Sequence, residues 1–107
     1  MTVVYVETYV VKPDKLAEFA AYCKDMDAYI KRHPELIKDF RSLKRFSHMI
    51  GGNWGGYVTM IEAESLAAVE KYWHSLMADK EFMKVYAEWA AIIVPGTDSI
   101  SIWNPVP

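Results

Sequence analysis

The sequence has only one cysteine, Cys23, so no disulfide can form within the chain. Small domains that fold outside the cell usually depend on several disulfides, and their absence here predicts a reducing, cytoplasmic location. Long apolar runs are also lacking, since no segment approaches the roughly 20 residues that a membrane span needs. The N-terminal segment has no basic region and is typical of a strand rather than a signal peptide.

An excess of basic residues is missing as well. Lys and Arg number 12 against 14 Asp and Glu, and the net charge is −2. Because a surface that follows nucleic-acid phosphates needs concentrated positive charge, nucleic acid is not an expected partner. No C-x-x-C, H-x-H or H-E-x-x-H spacing occurs, so no metal site is expected.

Aromatic residues, in contrast, are abundant. The 107 residues include four Trp, seven Tyr and four Phe, and 52% of the chain is apolar. A chain of this length forms one domain, residues 1–107, and can bury about two-thirds of its unfolded surface. So many aromatic side chains in one small domain favour a large shared surface or a lined cavity.

Four segments have the composition of strands. Both faces of the first are largely apolar, which predicts that both are covered. The glycine-rich segment 51–56 is typical of a hairpin loop between the second and third, because glycine adopts positive φ freely. The predicted strands are residues 3–11, 41–50, 57–62 and 99–103.

Two further regions have apolar residues at helical spacing. In the first, the apolar stripe is expected to end near Pro34, since proline disfavours a helical residue before it. A short helical turn over 35–40 is a further prediction. The second region starts at Ser65, a good N-cap residue, and its period restarts at Asp79. This predicts two helical segments with a break near Ala78, of which the second stops before Pro95. The apolar stripe of the first region is Leu16, Phe19, Ala20, Cys23, Met26 and Ile30.

Strands and helices in this order predict an α+β, ferredoxin-like β-α-β-β-α-β fold with a four-stranded antiparallel sheet. Helices cover one face of such a sheet and leave the other bare. An exposed apolar sheet face is the physical reason to expect a homodimer, in which a second copy covers it.

Several local patterns resemble the dimeric α+β barrel superfamily, which includes antibiotic-biosynthesis monooxygenases, NIPSNAP-like proteins and haem-degrading enzymes. The patterns are Val-Val-Lys-Pro-Asp-Lys at 10–15, Glu-Ser-Leu at 64–66, Asp-Lys-Glu-Phe at 79–82 and Ile-Ser-Ile-Trp at 100–103. They cover nearly the whole chain, but they specify a fold that hosts many chemistries. The resemblance implies a cleft in each subunit, between the sheet and the helices, in which family enzymes bind flat aromatic substrates or haem.

The same resemblance implies positions for haem chemistry. The haem degraders have an Asn on the first strand, a Trp on the second helix and a His after the restart of that helical region. This chain has Glu7, Trp73 and Tyr86 at those places. Only the Trp matches, so no cofactor is predicted, although a tyrosine such as Tyr86 can ligate haem iron.

Glu7 is the most informative candidate residue. A carboxyl group in the middle of an apolar strand must be paired, solvated in a cavity, or kept neutral. It is either a general base whose pKa is raised by apolar surroundings, or one half of an ion pair with Lys44 or Arg45. Tyr5 and Tyr9 share its strand face and are either hydrogen-bond donors beside it or packed core residues.

Four more residues are candidates with plain structural alternatives. His48, in the second predicted strand, is an acid/base candidate or a hydrogen-bonded histidine of the core or edge. Trp73 and Tyr86 are candidates for the walls of a binding site, or ordinary core aromatics. Trp54, in the glycine-rich loop, has no local core to enter and is expected to close over a ligand or contact a partner subunit.

Three functional hypotheses follow. The first is a cofactor-independent oxygenase-like or isomerase-like enzyme for an aromatic or polyketide-type small molecule, as the resemblance implies, with Glu7 as the base. In it Tyr5 or Tyr9 donates a hydrogen bond, and Trp73 and Tyr86 stack on the substrate. The second is a non-catalytic binder of haem or another small molecule. The third is a structural or stress-response barrel with a filled interior and a paired Glu7.

Overall fold

The computed structural model describes residues 2–51 and 54–107. In that part of the chain the strands are β1 (Val3–Val10), β2 (Phe40–Ser47), β3 (Gly56–Ala63) and β4 (Ser99–Trp103). The helices are α1 (Leu16–Arg32), α2 (Leu66–Met77) and α3 (Lys80–Ile92), with short 3-10 turns at Pro13–Lys15 and Pro34–Ile37. All strand neighbours are antiparallel, in the order β2-β3-β1-β4. The predicted α+β, ferredoxin-like fold is confirmed.

The second strand is shorter than predicted. It ends at Ser47, which pairs with Tyr57, and the next backbone hydrogen bond runs from the amide of His48 to the carbonyl of Gly56 at 2.9 Å. The prediction that His48 lies within the strand is therefore wrong: it stands at the start of the loop, exposed. The physical reason is the glycine-rich connection, which draws the chain out of the ladder before Ile50.

Two caps set the start of the second helical region and its break. The Ser65 hydroxyl accepts a hydrogen bond from the Ala68 amide at 3.2 Å, which fixes the start of α2. After Ala78, the Asp79 carboxylate accepts from the Glu81 amide at 2.8 Å and starts α3. The other oxygen of Asp79 accepts from the Tyr29 hydroxyl at 2.6 Å, which ties α3 to α1. The predicted caps and break are confirmed.

The buried face of α1 differs from the predicted stripe. Leu16 and Ala20 are exposed, whereas Tyr29 is almost fully buried and Tyr22 is half-buried. The contacting side chains follow steps of three and four along Phe19, Tyr22, Met26 and Tyr29, so the face is rotated away from Leu16 and Ala20. The apolar pattern did not predict the buried tyrosines, because tyrosine has a polar hydroxyl as well as an apolar ring and was not counted as apolar.

All three helices pack on one face of the sheet, where the buried residues form two clusters. The larger cluster joins Tyr5 on β1 to the middle of α1 and to α2, and the smaller joins Tyr9 to the start of α1 and the end of α3. Glu7 lies between Tyr5 and Tyr9 on the same face of β1, and neither cluster includes it. Along β1 this carboxyl group stands between the two clusters, and Tyr22 and Tyr86 pack against both of them.

None of the helices in the described part of the chain lies over the opposite face of the sheet. Side chains that alternate with the core residues point there, and Phe46 and Trp103 are each about half exposed on it. Val4, Thr8 and Val10 on β1 are only partly covered. Within residues 2–51 and 54–107, no helix combines the length and apolar composition needed to cross a membrane.

Candidate functional site

An open cleft of about 720 Å³ lies between the β1–β4 side of the sheet and the helices α2 and α3. Its floor is formed by β1 and β4, which run side by side with Tyr5 opposite Ile102 and Glu7 opposite Ile100. Because β4 is at the sheet edge and no helix covers it, its inward-facing isoleucines remain exposed. The lining residues are Tyr5, Glu7, Leu66, Val69, Glu70, Trp73, His74, Met77, Tyr86, Trp89, Asp98, Ile100 and Ile102.

One wall of the cleft is a continuous stripe of α2. Its members recur at steps of three and four residues, which is the spacing of one helical face. Val69 is buried, but Leu66 and Met77 are about half exposed. The predicted apolar face of α2 thus continues past the core and out over the cleft. The stripe is Leu66, Val69, Glu70, Trp73, His74 and Met77.

The other wall consists of aromatic rings on α3. Tyr86 and Trp89 are nearly parallel, with centroids 5.7 Å apart, and Trp89 meets the ring of Tyr9 edge-on at 5.4 Å. On the opposite side Trp73 lies 6.1 Å from the ring of Tyr5. Trp73, Tyr86 and Trp89 all line the cleft, so aromatic side chains border it on two sides.

The Glu7 carboxyl group is the polar centre of the floor. Burial, and next to it the neighbouring Asp98 carboxyl, raises the pKa of Glu7 to about 8, so the group is largely protonated at neutral pH. The Tyr5 hydroxyl donates to Glu7 Oε1 at 3.4 Å, and burial raises the pKa of Tyr5 further above its ordinary value. Tyr5 therefore stays a phenol and serves as a donor beside a carboxyl that exchanges its proton near pH 8.

Asp98 reaches the cleft because a turn holds it there. Gly96 has φ of 81°, a conformation that favours glycine, and the chain turns back toward β1 at this point. The Thr97 hydroxyl accepts from the Val10 amide at 3.1 Å and donates to the Val94 carbonyl at 2.7 Å. These two hydrogen bonds anchor the residue before Asp98, and the Asp98 carboxyl lines the same cleft as Glu7 and helps to raise its pKa.

Behind Glu7 is a second, inner cavity of about 50 Å³, under α1. That volume is large enough for one or a few water molecules. Tyr5, Glu7 and Trp73 line both cavities, so they form the partition between them. Tyr9 lines only the inner cavity, where its hydroxyl is 3.3 Å from Thr59 Oγ1 and burial raises its pKa to about 12.

The proposed ion pair between Glu7 and a basic residue of β2 is not found. Arg45 shares the inner cavity with Glu7, but its guanidinium donates to Asp27 on α1 at 3.0 Å. Among the residues that the structure describes, neither Lys44 nor Arg45 is paired with Glu7. Lys44 alternates with Leu43 and Arg45 and so points to the opposite face of the sheet, which explains why it does not reach Glu7.

Two sequence candidates lie away from the cleft. His48 is exposed beyond the end of β2 and is absent from the cleft lining. Trp54 is 86% exposed in the β2–β3 loop, and it too contributes nothing to the cleft. Gly52 and Asn53, which precede it, lie outside the described residues. A contact of Trp54 with a partner subunit stays a prediction.

The cleft does not have the side chains that haem would need. Haem carries two carboxylates, yet none of the described lining residues is Lys or Arg, while Glu7, Glu70 and Asp98 add negative charge. His74 and Tyr86 are the available iron ligands, and they are not backed by cations. Nor do the described residues contain a group of three or more His, Cys, Asp or Glu side chains placed to hold a metal ion.

Many solved structures share the backbone fold of this chain. A NIPSNAP family protein from Agrobacterium tumefaciens has a TM-score of 0.78 at 15% identity, over 99% of this chain and 94% of that chain. A Caulobacter crescentus protein named after the antibiotic biosynthesis monooxygenases has a TM-score of 0.72 at 19% identity, over 99% and 91%. An antibiotic biosynthesis monooxygenase has a TM-score of 0.69 at 12% identity, over 98% and 99%.

The chain has the fold of these proteins. The resemblance inferred from the local sequence patterns is thus confirmed at the level of the fold. No protein-family model and no curated protein matches the sequence. Because proteins with this fold carry out many different reactions, the residues of the cleft, and not the fold, decide what this protein can do.

The sequence predicts four of the cleft residues but not the others. Glu7, Tyr5, Trp73 and Tyr86 do meet in the cleft. Asp98 was missed because it lies in a connecting segment without periodicity, although its position directly before an edge strand that pairs with β1 was a usable signal. His74 is a further cleft residue that the sequence did not single out. It is exposed, yet it belongs to the cleft rim, since 74 is four residues beyond Glu70.

Proposed function

We propose that this protein binds a flat, largely apolar small molecule in the cleft and that Glu7 transfers a proton to or from it. The single observation that carries the proposal is the Glu7 carboxyl, whose pKa is raised to about 8, on the floor of a 720 Å³ cleft with aromatic walls. An apolar pocket with a few converging polar groups and a perturbed carboxyl is the usual form of a small-molecule site.

The chemistry follows from the protonation of Glu7. A carboxyl with a pKa near 8 is a far stronger base, once ionised, than one with an ordinary pKa, and it is also a competent acid at neutral pH. Tyr5 stays protonated and can donate to an oxygen of the ligand as negative charge develops there. Such a site suits proton abstraction next to a carbonyl or phenol, which is the first step of a cofactor-independent oxygenase or an isomerase.

Two alternative functions receive less support. A haem binder would need cations for the propionates, and the described cleft residues supply none. A purely structural barrel would have a filled interior and a paired Glu7, whereas the structure has an open cleft and pairs Arg45 with Asp27. A non-catalytic small-molecule binder would share the cleft and differ only in the role of Glu7.

Binding is tested with a matched pair of methionine substitutions and N-phenyl-1-naphthylamine, a neutral aromatic dye that fluoresces in apolar sites. Met77 is 49% exposed and lines the cleft, whereas Met83 is 40% exposed and does not. Met77→Trp fills the cleft and is expected to weaken dye binding about tenfold or more, while Met83→Trp leaves it unchanged. Equal binding by both variants and the parent protein would remove the cleft from consideration.

Catalysis is tested by incubating a bacterial metabolite extract with the protein and with Glu7→Gln, and comparing the two by mass spectrometry. Gln keeps the size of the side chain but cannot exchange a proton. Compounds consumed by the parent protein and left intact by Glu7→Gln are the expected result. If both proteins consume the same compounds, Glu7 is not the acid or base. If both bind the dye and neither consumes anything, the non-catalytic binder is supported instead.

We further propose that a second copy of the chain covers the outer sheet face, the face opposite the helices. Phe46 and Trp103 expose about half of their large apolar surfaces there, next to the partly covered side chains of β1 and β3. An apolar sheet face that no helix covers can pack against the same face of a second copy, related to the first by a two-fold axis. Native mass spectrometry of freshly purified protein reports both the subunit number and any retained ligand.

A further inference from the structure

The charged groups of the cleft are of one sign. Glu7, Glu70 and Asp98 are carboxyl groups that line it, and none of the described residues in its lining is Lys or Arg. Arg45, which shares the inner cavity with Glu7, donates to Asp27. A ligand carrying a carboxylate or phosphate would therefore meet like charge in the cleft and find no partner.

The aromatic walls favour the opposite charge. The faces of Trp and Tyr rings carry partial negative charge and attract cations that lie over them. Trp73 stands on one side of the cleft, and Tyr86 and Trp89 on the other, with Glu7 on the floor between them. Aromatic faces around a carboxyl centre are the usual recognition chemistry for an organic ammonium group.

We propose that the cleft selects an organic amine, bound as its ammonium ion, with an apolar ring system attached. The ammonium donates to the carboxyl oxygens of Glu7 and Asp98, and the ring system lies along Trp73 and Tyr86. This inference rests on the binding part of the proposed function, since it names the ligand class of the same cleft, and in it Glu7 holds the ligand as its counter-ion.

Binding of the ammonium ion must displace the proton that Glu7 holds. The protonated carboxyl of Glu7 and the free ammonium ion combine to give a carboxylate–ammonium ion pair, and one proton is released to solvent. While Glu7 keeps its proton it is neutral and is not repelled by the Asp98 carboxylate. The positive charge of a bound ammonium group offsets the same repulsion, so Glu7 can give up its proton. Release of close to one proton at pH 7 is thus a consequence of the proposal.

The buried tyrosines and Arg45 that face Glu7 do not account for that proton. Burial keeps the pKa of the surrounding tyrosines Tyr5, Tyr9, Tyr22 and Tyr72 well above neutrality, so they stay protonated. Arg45 remains charged in its pair with Asp27. The titratable and charged groups that face Glu7 are Tyr5 and Tyr9 on β1, Tyr22 on α1, Arg45 on β2, Glu70, Tyr72 and His74 on α2, Tyr86 on α3, and Asp98 before β4.

Three naphthalene probes of nearly equal size test the selectivity by calorimetry at pH 7. They are 2-naphthylmethylamine, which is cationic, 2-naphthylmethanol, which is neutral, and 2-naphthoate, which is anionic. The amine is expected to bind at least about tenfold tighter than the alcohol, a difference of about 1.4 kcal/mol, and the carboxylate weakest. Repeating the amine titration in buffers of different ionisation enthalpy counts the protons released.

Two matched pairs of variants assign the effect to the cleft. Asp98→Asn is expected to reduce the preference for amine over alcohol, and Asp14→Asn, at an exposed position outside the cleft, leaves it intact. Met77→Lys places a cation at the rim and is expected to weaken amine binding about tenfold, whereas Met83→Lys does not. The neutral alcohol reports whether each variant keeps a folded, accessible cleft.

The outcomes separate the two proposals. If the alcohol binds and the amine binds no better, or if the carboxylate binds best, the amine inference is wrong and the cleft remains a small-molecule site. If none of the three probes binds, the proposed function fails and this inference fails with it. Amine binding without proton release would also overturn the arrangement with Glu7 at its centre.

Discussion

The carboxyl groups of Glu7, in the middle of β1, and Asp98, just before β4, are neighbours in the lining of the cleft. Two carboxyl groups that close cannot both ionise cheaply, so one of them keeps its proton to a higher pH. Burial is the larger cause of the raised pKa of Glu7, which is the more enclosed of the two. The pair gives the cleft a proton that is exchangeable near neutral pH.

Replacing Glu7 should change how stability depends on pH. The pKa of this carboxyl is about 8 in the folded protein and about 4.5 when unfolded, so the folded state binds the proton more tightly. The stabilisation is complete below pH 4.5 and is lost between pH 4.5 and 8, on the order of 5 kcal/mol. In Glu7→Gln this loss of stability with rising pH should be absent. Urea denaturation at fixed protein concentration and several pH values measures it, and parallel curves for both proteins would contradict the raised pKa.

Replacing Asp98 should lower the pKa of Glu7. Asp98→Asn removes the neighbouring negative charge but leaves burial, the larger cause, in place. The pKa of Glu7 is therefore expected to move toward 4.5 without reaching it. A titration followed by NMR of ¹³C-labelled glutamate carboxyls measures this, and Asp14→Asn serves as the control. No movement in Asp98→Asn would show that the two carboxyls do not interact.

Thr97 is expected to act as a positioning residue for Asp98. Its hydroxyl joins the Val10 amide to the Val94 carbonyl at 3.1 and 2.7 Å. Thr97→Val removes both hydrogen bonds, which should cost about 1–2 kcal/mol of stability and lower the pKa of Glu7 as Asp98 moves away. Thr97→Ser keeps the hydroxyl and should resemble the parent protein in both measurements. A loss of stability without a change in that pKa would indicate a purely structural role.

The hydrogen bond from Tyr29 to Asp79 is expected to hold α3 against α1. Tyr29 is 1% exposed, and its hydroxyl donates to Asp79 at 2.6 Å. Tyr29→Phe keeps the buried ring and should lower the free energy of unfolding by about 1 kcal/mol, as measured by urea denaturation. The same hydrogen bond lowers the pKa of Asp79, so its contribution is present above the ordinary pKa and lost in acid. The difference between the two proteins should therefore shrink at low pH.

A charge on the outer sheet face should weaken the proposed dimer. Phe46→Glu places a carboxylate on that face, near the end of the edge strand β2, where a second copy that covers the face would bury or meet the charge. Sedimentation over a range of concentrations should show a dissociation constant raised at least about tenfold. Met83→Glu puts the same charge on the exposed part of α3 and should have no effect. A parent protein that is monomeric throughout that range would remove the dimer from the proposal.

Much of this fold could be predicted from residue patterns. The β-branched run of β1, the N-cap at Ser65, and the restart at Asp79 are local signals, because each depends on neighbours within a few residues. The predicted end of β2 lies too far along the chain. The backbone leaves the sheet before the glycines, at a point that no single residue type indicates. On α1, tyrosines took buried positions that apolar counting assigned to Leu16 and Ala20.

The sequence by itself determined the order of elements and placed Tyr5, Glu7 and Tyr9 on one face of β1, because side chains alternate in a strand. It could not determine what that face meets. Only the tertiary structure placed Asp98 beside Glu7, turned Arg45 toward Asp27, and left a cleft open along β4. Those contacts join elements far apart in the chain, and their geometry depends on sheet order and helix packing, which no local pattern encodes.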